Sequence, residues 1–428
     1  MQTARTPNHL LLAAQSFALC RWRSRAIRDR AALGRYQDRR IQAALQHAAR
    51  HFPHYRAFAG QPLERWPIID KAGLLAHFEH ANLGGIPADA IRHAIAAGEE
   101  RVGSFIVGQS TGTSGNRGYY LISDAERFVW LGTILAKTLP DALWRRHRVA
   151  LALPGLSSLY RSASSGSRIT LGFFDLARPI AQWADDLTRF APDTIVAPPK
   201  VLRWLAEEGR LHAAHLFSGA EVLDPIDRAI IEAASGRTLR EIYMATEGLL
   251  GVSCAHGTLH LAEDVVHFAF EPAAPGSTLQ SPVVSDFTRR SQALLRYRMN
   301  DLLELADAPC ACGSPYRAVR RIEGRADDIF RLAAPDGALR MVTPDVLRNA
   351  VVDSDPAIRD FRIDQTGPCH VRVSLDAALP AAVGQVVMAR LTSALAAFGV
   401  KPQIELRAGI APLPDGKLRR VRRLWSEP

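Results

Sequence analysis

Short apolar runs alternate with segments of helical spacing between residues 148 and 247. The runs RVALALPG, DTIVAPP, AHLFSGAE and REIYMATE each end in turn-forming or polar residues. The segments AQWADDLTRFA, KVLRWLAEEG and DPIDRAIIEAAS lie between them, and the last opens with an Asp followed by Pro, a typical helix start. This alternation predicts an α/β fold with a largely parallel sheet covered by helices. Ligands bind at the carboxyl ends of such strands, where we expect SGAE and YMATE.

The pattern changes on both sides of this region. Residues 10–58 are rich in Ala and Arg with repeated apolar spacing and predict helices, whereas residues 258–307 contain β-rich runs such as LHLAEDVVHFAF and ALLRYRMNDLLEL. After GRADD the chain restarts as a small α+β unit that includes LRMVTPDVLRNAVV and FRIDQTGPCHVRVSLD. We therefore expect a large domain over residues 1–326 and a small one over residues 327–428, which touch at a hinge near Asp327 because no low-complexity linker separates them.

Composition narrows the class of partner and the compartment. The chain has 53 basic and 43 acidic side chains, and a net charge of +10 favours anionic partners such as nucleotides, coenzyme A, acidic carrier proteins or nucleic acid. Five cysteines form a sparse, odd set, which argues for a reducing compartment. No apolar run approaches the roughly 18 residues of a membrane span. HLLLAAQSFALC precedes the basic stretch RWRSRAIRDR without a cleavage site, so we interpret it as the first helix of a cytoplasmic protein.

The stretch QSTGTSGNRGYY, residues 109–120, combines glycines with hydroxyl side chains. A Walker-type phosphate loop requires Gly, four residues and then Gly-Lys, and no lysine follows at that offset, so a P-loop kinase or ATPase is excluded. What remains is a loop whose backbone N–H groups and hydroxyls can surround phosphate oxygens, with Arg117 supplying positive charge. Taken alone, a Gly- and Ser-rich surface turn explains the stretch equally well.

Six motifs follow one another in order: QSTGTSGNRG, SGAE (218–221), IYMATE (242–247), RYRMND (296–301), EGRADD (323–328) and LPDGKLRR (413–420). In this set the chain, over roughly residues 40–420, resembles the adenylate-forming superfamily of acyl-CoA synthetases, luciferases and nonribosomal adenylation domains. The stretch RRIQAALQHAARHFPHYRAF, the short length and the TSGNRG form of the loop are most similar to the phenylacetate–CoA ligase branch. The resemblance implies a large ATP- and acid-binding domain with helix-covered sheets and a small, mobile α+β domain that carries the catalytic lysine.

The resemblance assigns the nucleotide contacts to four of these motifs. Gly219, Ala220 and Glu221 would lie along the adenine, and Tyr243 would stack on the base. Asp301 would accept hydrogen bonds from both ribose hydroxyls. The loop would hold the β- and γ-phosphates of ATP through Ser110, Thr111, Gly112, Thr113, Ser114, Gly115 and Arg117.

The resemblance also implies which residues act on the reacting groups. Thr246 would donate to the α-phosphate, and Glu247 would hold Mg²⁺, which prefers carboxylates together with substrate phosphates. Arg325 would lie near the ribose and phosphate. Asp327 would be the pivot of domain rotation. Lys417 would contact both the substrate carboxylate and the α-phosphate, neutralising charge as the acyl-adenylate forms.

Three motifs depart from the family's pattern. The phosphate loop lacks its usual lysine and has Asn116 and Arg117 in that region. Met299 and Asn300 stand where Thr or Ser and Gly usually occur, and Met244 replaces the Gly of YG-x-TE. None of these changes removes an essential charge. They therefore bear on rate and substrate shape more than on the class of reaction.

The cysteines suggest a second site. Cys254 and His260 precede Cys310 and Cys312, and three thiolates with one imidazole make a closed tetrahedral zinc site, which is typically structural. His256 competes with His260 as the fourth ligand, and a similar Cys…His…Cys-x-Cys set in some relatives of the phenylacetate–CoA ligase branch favours His260. The alternative is a set of small buried cysteines beside an exposed histidine.

The resemblance implies ATP-dependent activation of a carboxylic acid, aryl or arylalkyl, as acyl-AMP with release of pyrophosphate, followed by transfer to a thiol. Coenzyme A, the phosphopantetheine arm of a carrier protein and an amine remain open as acceptors. Residues 401–428 contain seven basic and three acidic side chains. They form either a solvated face or a docking surface for an acidic carrier protein or coenzyme A, rather than for nucleic acid. A catalytically reduced nucleotide-binding scaffold or regulator is the second hypothesis, and a homodimer is also open.

Overall fold

The computed structural model of the protein describes residues 8–109, 118–153, 168–411 and 419–427. Its α-helices are α1 (His9–Ala26), α2 (Arg30–His51), α3 (Lys71–Ala76), α4 (Ala88–Ala96), α5 (Asp124–Thr138), α6 (Ala184–Phe190), α7 (Pro199–Glu207), α8 (Pro225–Ser235), α9 (Pro344–Val352) and α10 (Ala381–Ala396). Among the helices described, none is long and apolar enough to cross a membrane.

The strands fall into four sheets within the same residues. They are β1 (Arg101–Val102), β2 (Phe105–Gln109), β3 (Tyr119–Ile122), β4 (His147–Leu153), β5 (Ile169–Asp175), β6 (Thr194–Ala197), β7 (His215–Gly219), β8 (Leu239–Ala245), β9 (Gly248–Ser253), β10 (Leu259–Leu261), β11 (Val266–Pro272), β12 (Gln280–Asp286), β13 (Tyr297–Arg298), β14 (Asp301–Leu305), β15 (Ala318–Arg325), β16 (Phe330–Ala333), β17 (Leu339–Val342), β18 (Phe361–Gly367), β19 (His370–Leu375), β20 (Gln403–Ala408) and β21 (Val421–Arg423).

Local sequence signals explain where several helices begin. Ser123 and Glu126 form a reciprocal capping box at the start of α5. The Asp224 side chain accepts a hydrogen bond from the backbone N–H of Ile226, and Pro225 occupies the first position of α8, as the sequence predicts. These caps satisfy N–H groups that have no partner within the helix.

The largest sheet joins a parallel half to an antiparallel half. The parallel half has the order β5-β4-β6-β7-β8, which confirms the predicted α/β arrangement. From β8 the sheet continues with antiparallel pairs through β9, β10, β15, β14, β12 and β11. The edge strand β5 is not among the predicted runs. All five parallel strands direct their carboxyl ends to the same edge, where the candidate motifs end.

Helices cover both faces of the parallel half. On one face, a buried cluster joins strand residues such as Ile195 and Leu216 to α6, α7 and α8. On the other face, α1 and α5 pack over Val149 and Leu151. The two helices approach so closely that a Cβ on Gly132 would lie 2.1 Å from the carbonyl oxygen of Ala13. Any larger residue at position 132 would therefore push α1 away from α5.

Residues beyond Asp327 form their own sheets and core. β16 and β17 make a hairpin, and β20-β19-β18-β21 make a four-stranded sheet. Helices α9 and α10 pack on this sheet around a separate buried cluster that includes Phe330, Val373 and Leu391. We call residues 327–411 and 419–427 the C-terminal unit.

The C-terminal unit contacts the rest of the chain through buried ion pairs. Arg420 donates to both carboxylate oxygens of Asp227 in α8, at 2.6 and 3.1 Å, and to Asp360 at 3.0 Å. Arg203 in α7 also donates to Asp227, at 2.9 Å. The Asp227 side chain is fully buried, so this contact depends on the close approach of the two parts of the chain.

Candidate active site

A cavity of about 1840 Å³ lies at the carboxyl ends of the parallel strands and continues along one of their faces. Typical ligand pockets have about 300–1,000 Å³, so this cavity has room for a nucleotide and a second ligand. Its walls include Tyr243, Asp301 and Arg325, together with the turns that follow β7 and β8. Residues 419–421 of the C-terminal unit also line it.

The turn after β7 brings Gly219, Ala220 and Glu221 to the cavity wall. Ala220 has a φ of 67°, in the left-handed region that residues with a side chain rarely adopt. Backbone strain of this kind is found most often at functional sites. The Glu221 carboxylate lies 3.4 Å from the ammonium group of Lys200 at the start of α7. The SGAE motif therefore forms a fixed, strained turn at the predicted edge.

The turn between β8 and β9 presents Thr246 and Glu247 to the cavity. β9 begins at Gly248, whose φ of 141° favours glycine, and a Cβ there would lie 3.2 Å from a carboxylate oxygen of Asp286. Glycine thus allows the chain to reverse directly behind the two polar residues. Met244 is 42% exposed and lines the cavity, so it stands at the surface of the site.

Glu247 lies in an environment that disfavours its charge. Burial raises the pKa of its carboxyl group, against the opposing effects of a hydrogen bond from Tyr297 and the positive charge of Arg289. The hydroxyl of Tyr297 donates this hydrogen bond. A partly buried carboxylate beside a large cavity is suited to a divalent cation, because the cation would supply positive charge directly at the carboxylate oxygens.

Asp301 and Tyr243 are joined directly. The Tyr243 hydroxyl donates to the Asp301 carboxylate at 2.7 Å. Burial raises the pKa of Asp301, and the hydrogen bond from Tyr243 and the charge of Arg325 oppose this shift. Asp301 and Arg325 stand opposite each other in the pair β14–β15. Three predicted site residues, distant in sequence, thus form one contiguous group.

Asp327 follows β15 immediately, where the chain enters the C-terminal unit. Its carboxylate accepts a hydrogen bond from the side-chain amide of Asn300 at 2.7 Å, and its carbonyl oxygen accepts one from Arg423 at 3.1 Å. Asn300 is one of the departures from the family's pattern, and here it holds the residue that the resemblance assigns to the pivot.

Arg289 is a buried residue of this region that the sequence analysis missed. One of its terminal nitrogens donates to the carbonyl oxygens of Thr246 and Glu247, at 2.8 and 2.9 Å. Its guanidinium lies 4.6 Å from the ring centroid of Trp130. Burial lowers the pKa of Arg289, against the effect of nearby Asp286. Nothing in SDFTRRS marks this arginine, because its contacts are with backbone atoms distant in sequence.

The cysteine and histidine residues of the second predicted site come together. The ligand atoms of Cys254, His260, Cys310 and Cys312 all lie within 4.8 Å of one another. The sulfurs of Cys254 and Cys310 are 3.8 Å apart, which is about the separation in a tetrahedron with metal–sulfur bonds of roughly 2.3 Å. His256 is exposed in the turn before β10 and is outside this group.

The orientation of His260 also fits a ligand. Its Nδ1 lies 2.9 Å from the carbonyl oxygen of Tyr316, so the ring can donate there and present Nε2 to the sulfurs. The Nε2 atom is 3.3 Å from the sulfur of Cys312. A hydrogen bond from the second ring nitrogen is the usual support for a metal-binding histidine.

Comparison with known proteins identifies the fold. No protein-family model matches the chain, and no curated protein matches it in sequence. Among solved structures, 2-hydroxyisobutyryl-CoA ligase in the postadenylation state, in complex with R3-HIB-AMP, has a TM-score of 0.65 and 21% identity over 92% of this chain and 89% of that chain. The chain has the adenylate-forming fold. In the thioesterification state, with 2-HIB-AMP and CoA, the same ligase has a TM-score of 0.52 and 21% identity over 93% of this chain and 90% of that one.

A third structure extends the adenylate-forming fold to a more distant protein. ATP-bound MatB from Rhodopseudomonas palustris has a TM-score of 0.52 and 15% identity, over 72% of this chain and 65% of that chain. The fold found by comparison is therefore the one that the order of the motifs in the sequence suggested.

Two predicted elements of the adenylate-forming site lie outside the described residues. One is the loop with Ser110, Thr111, Gly112, Thr113, Ser114, Gly115 and Arg117. The other is Lys417. Both are flanked by described residues at the cavity, because Gln109 lines it before the loop, Tyr120 lines it after the loop, and Arg419 lines it just after the lysine.

Proposed function

We propose that the protein activates a carboxylic acid with ATP and transfers the acyl group to a thiol. The observation that carries the proposal is the group formed by Tyr243, Glu247, Asp301 and Arg325, which come from separate motifs and line one cavity at the carboxyl ends of the parallel strands. The ligases that share the fold are described in complex with acyl-AMP, CoA or ATP, which supports this assignment.

In the first half-reaction, a carboxylate oxygen attacks the α-phosphorus of ATP. A carbonyl-O–P bond forms, the bond between the α-phosphorus and the bridging oxygen breaks, and pyrophosphate leaves. Asp301 would accept hydrogen bonds from the ribose hydroxyls, and Thr246 would donate to the α-phosphate. Lys417 would contact the carboxylate and the α-phosphate as charge develops. The loop at 110–117 would hold the leaving pyrophosphate.

Glu247 would hold Mg²⁺ in this site. The bound cation would neutralise charge on the phosphates of ATP. Arg289 would position Glu247 and Thr246, since its guanidinium binds both of their carbonyl oxygens. The hydroxyl of Tyr297 would orient the Glu247 carboxylate by the hydrogen bond it already donates.

In the second half-reaction, a thiol attacks the acyl carbon. A C–S bond forms, the C–O bond to AMP breaks, and the thiol proton is released. Residues 327–428 would rotate about Asp327 relative to residues 1–326, withdrawing Lys417 and admitting the thiol. Coenzyme A is the preferred acceptor, because the similar 2-hydroxyisobutyryl-CoA ligase is described with CoA. A carrier-protein arm is the alternative, and the basic C-terminal stretch suits either an acidic carrier protein or coenzyme A.

The Cys254–His260–Cys310–Cys312 group would bind Zn²⁺ as a structural ion. Four protein ligands close the coordination sphere and leave no position for substrate. The ion would tie the β9–β10 region to residues 310–312, before β15.

Acid-dependent release of pyrophosphate from ATP tests the function. The assay would use aryl, arylalkyl and aliphatic acids without thiol, and hydroxylamine would trap the adenylate so that turnover continues. The motif resemblance favours the aryl and arylalkyl acids. A signal with one acid class would support ligase activity. ATP binding without any pyrophosphate release would instead support the scaffold hypothesis.

A further inference from the structure

The cavity has a second arm that the nucleotide does not require. From the carboxyl ends of the strands it runs along the sheet face opposite to α6, α7 and α8, beneath α5 and α1. The residues that line this arm are mainly apolar: Leu131, Ile134, Leu135 and Leu139 from α5, Ala13, Ala14 and Phe17 from α1, and Val149, Leu151, Leu153, Ile169, Leu171 and Val196 from the strands.

Within the described residues, the cover over the sheet face is incomplete in this arm. Leu153, Ile169 and Leu171 stay partly exposed although two helices pack over the same face, whereas the opposite face has fully buried residues such as Leu216. Packed protein interiors leave few voids larger than a water molecule. An apolar face that the described helices cover only partly has room for an apolar ligand.

Strand geometry gives the length of the arm. The Cα positions from Leu153 to Val149 span about 13 Å, at roughly 3.3 Å per residue. An extended acyl chain advances roughly 1.3 Å per carbon when its C–C bonds are about 1.5 Å long, so about ten carbons fit along this stretch. A single aromatic ring would fill only the end nearest the nucleotide site.

The far end of the arm opens to solvent through an apolar rim. Leu143 lines the cavity there and is 43% exposed. Arg146 and Arg168, at the amino ends of β4 and β5, are exposed beside it. The arm therefore continues to the surface, and the end of a chain longer than the arm can protrude there.

We propose that the acid taken by this site carries an extended apolar chain of about ten carbons or more, held between β4–β5–β6 and helices α5 and α1. This inference rests on the proposed acid activation and names its substrate class. The carboxylate would lie at the carboxyl ends of the strands, next to the nucleotide, and the chain would follow the strands towards Ile169.

The test is a chain-length series measured in two ways. Pyrophosphate release is followed with straight-chain acids from butyric to palmitic acid, and with phenylacetic acid. Binding of the same acids is measured by calorimetry without ATP. We expect kcat/KM and affinity to rise by roughly fourfold per added methylene up to about ten carbons, as burial of each methylene implies.

Two variants locate the chain. Leu171→Trp fills the far end of this ten-carbon stretch, level with Val149 in the β4–β5 pair, and should end the rise before ten carbons. Ile169→Trp fills a level two residues further along β5, about 6.6 Å beyond that stretch. It should keep the rise up to about ten carbons and weaken the binding of palmitic acid, whose end would protrude there. Val386→Trp, an equally large change at an exposed position of α10, is the matched control and should keep the wild-type profile.

The outcomes separate the inference from the proposed function. A preference for phenylacetic or butyric acid without a rise along the series, or the same profile in both arm variants as in the wild type, overturns the inference and leaves acid activation standing. Binding that rises with chain length and responds to both variants, without any pyrophosphate release, supports the arm and refutes acid activation.

Discussion

Replacing Arg420 with Met should separate the two half-reactions. Arg420 is the main charged contact between the C-terminal unit and α8, through two hydrogen bonds to Asp227, and a third hydrogen bond joins it to Asp360 within the unit. Arg419, two residues after Lys417, lines the cavity in this arrangement, which suits the proposed first half-reaction. Loss of the contact should favour departure from this arrangement.

The expected free-energy change follows from the burial of the Arg420–Asp227 pair and from the hydrogen bond that Asp227 keeps. Removing one partner of a buried ion pair costs about 3–5 kcal/mol when the other charge is left unpaired. Asp227 keeps its hydrogen bond from Arg203 at 2.9 Å, so its charge stays partly compensated. We therefore expect about 2 kcal/mol, the value of one hydrogen bond to a charged group. That corresponds to a shift of about 30-fold in the equilibrium between the two arrangements.

The half-reactions are measured separately. Acid-dependent pyrophosphate release with hydroxylamine reports adenylation, and formation of thioester from supplied acyl-AMP and coenzyme A reports transfer. Arg420→Met should lower the adenylation rate by up to about 30-fold, with transfer unchanged or faster.

Arg422→Met is the matched control for this experiment. Arg422 has a similar bidentate contact with Asp364, at 2.7 and 2.8 Å, but both residues lie within the C-terminal unit. Loss of the Arg422–Asp364 contact should leave the ratio of the adenylation rate to the transfer rate as in the wild type. Equal loss of both rates in Arg420→Met, or the same ratio of rates in both variants, would refute the reasoning.

Three further changes test individual residues. Lys417→Ala should reduce adenylation by at least about 100-fold while calorimetry still detects ATP binding, and full activity would exclude the assigned role. Glu247→Gln should abolish Mg-dependent adenylation, yet it should raise the thermal midpoint at pH 8 and not at pH 4. The reason is that the pKa of Glu247 is raised in the folded protein, so the ionised carboxylate destabilises the fold increasingly as pH rises above 4.5. Equal midpoints in wild type and variant at both pH values would contradict this. Cys310→Ser should lower bound zinc, measured by mass spectrometry, and the thermal midpoint together, whereas a metal-free wild-type protein of unchanged midpoint would exclude the zinc site.

The sequence predicted those parts of the fold whose signals are local. The runs that became β4, β6, β7 and β8 are flanked by helical segments, and the start of α8 carries its own cap in Asp224 and Pro225. The edge strand β5 escaped prediction because ITLGFFD has Gly172 at its centre, which weakens a strand signal. The structure gives the reason for this glycine, since a Cβ there would lie 2.9 Å from the ring of Phe190.

The order of the motifs predicted the site residues but could not reveal the contacts that hold them in place. Tyr243 and Asp301 are in the quoted motifs, whereas their mutual hydrogen bond depends on how β8 and β14 are placed in the sheet. Arg289 acts through backbone carbonyls and therefore has no spacing signature. The choice between His256 and His260 needed the pairing of β10, which buries His260 and leaves His256 in the preceding turn.

The placement of the apolar arm has a consequence for the order of the two half-reactions. Its walls come from α1, α5 and the parallel strands, whereas Arg419, Arg420 and Val421 of the C-terminal unit line part of the cavity outside the arm. Rotation of the C-terminal unit would therefore open the nucleotide end to the thiol without disturbing the contacts that hold the chain. The acyl group would stay in place while its acceptor arrives. Because water can attack an exposed acyl-adenylate, retention by the arm limits loss of the intermediate during rotation.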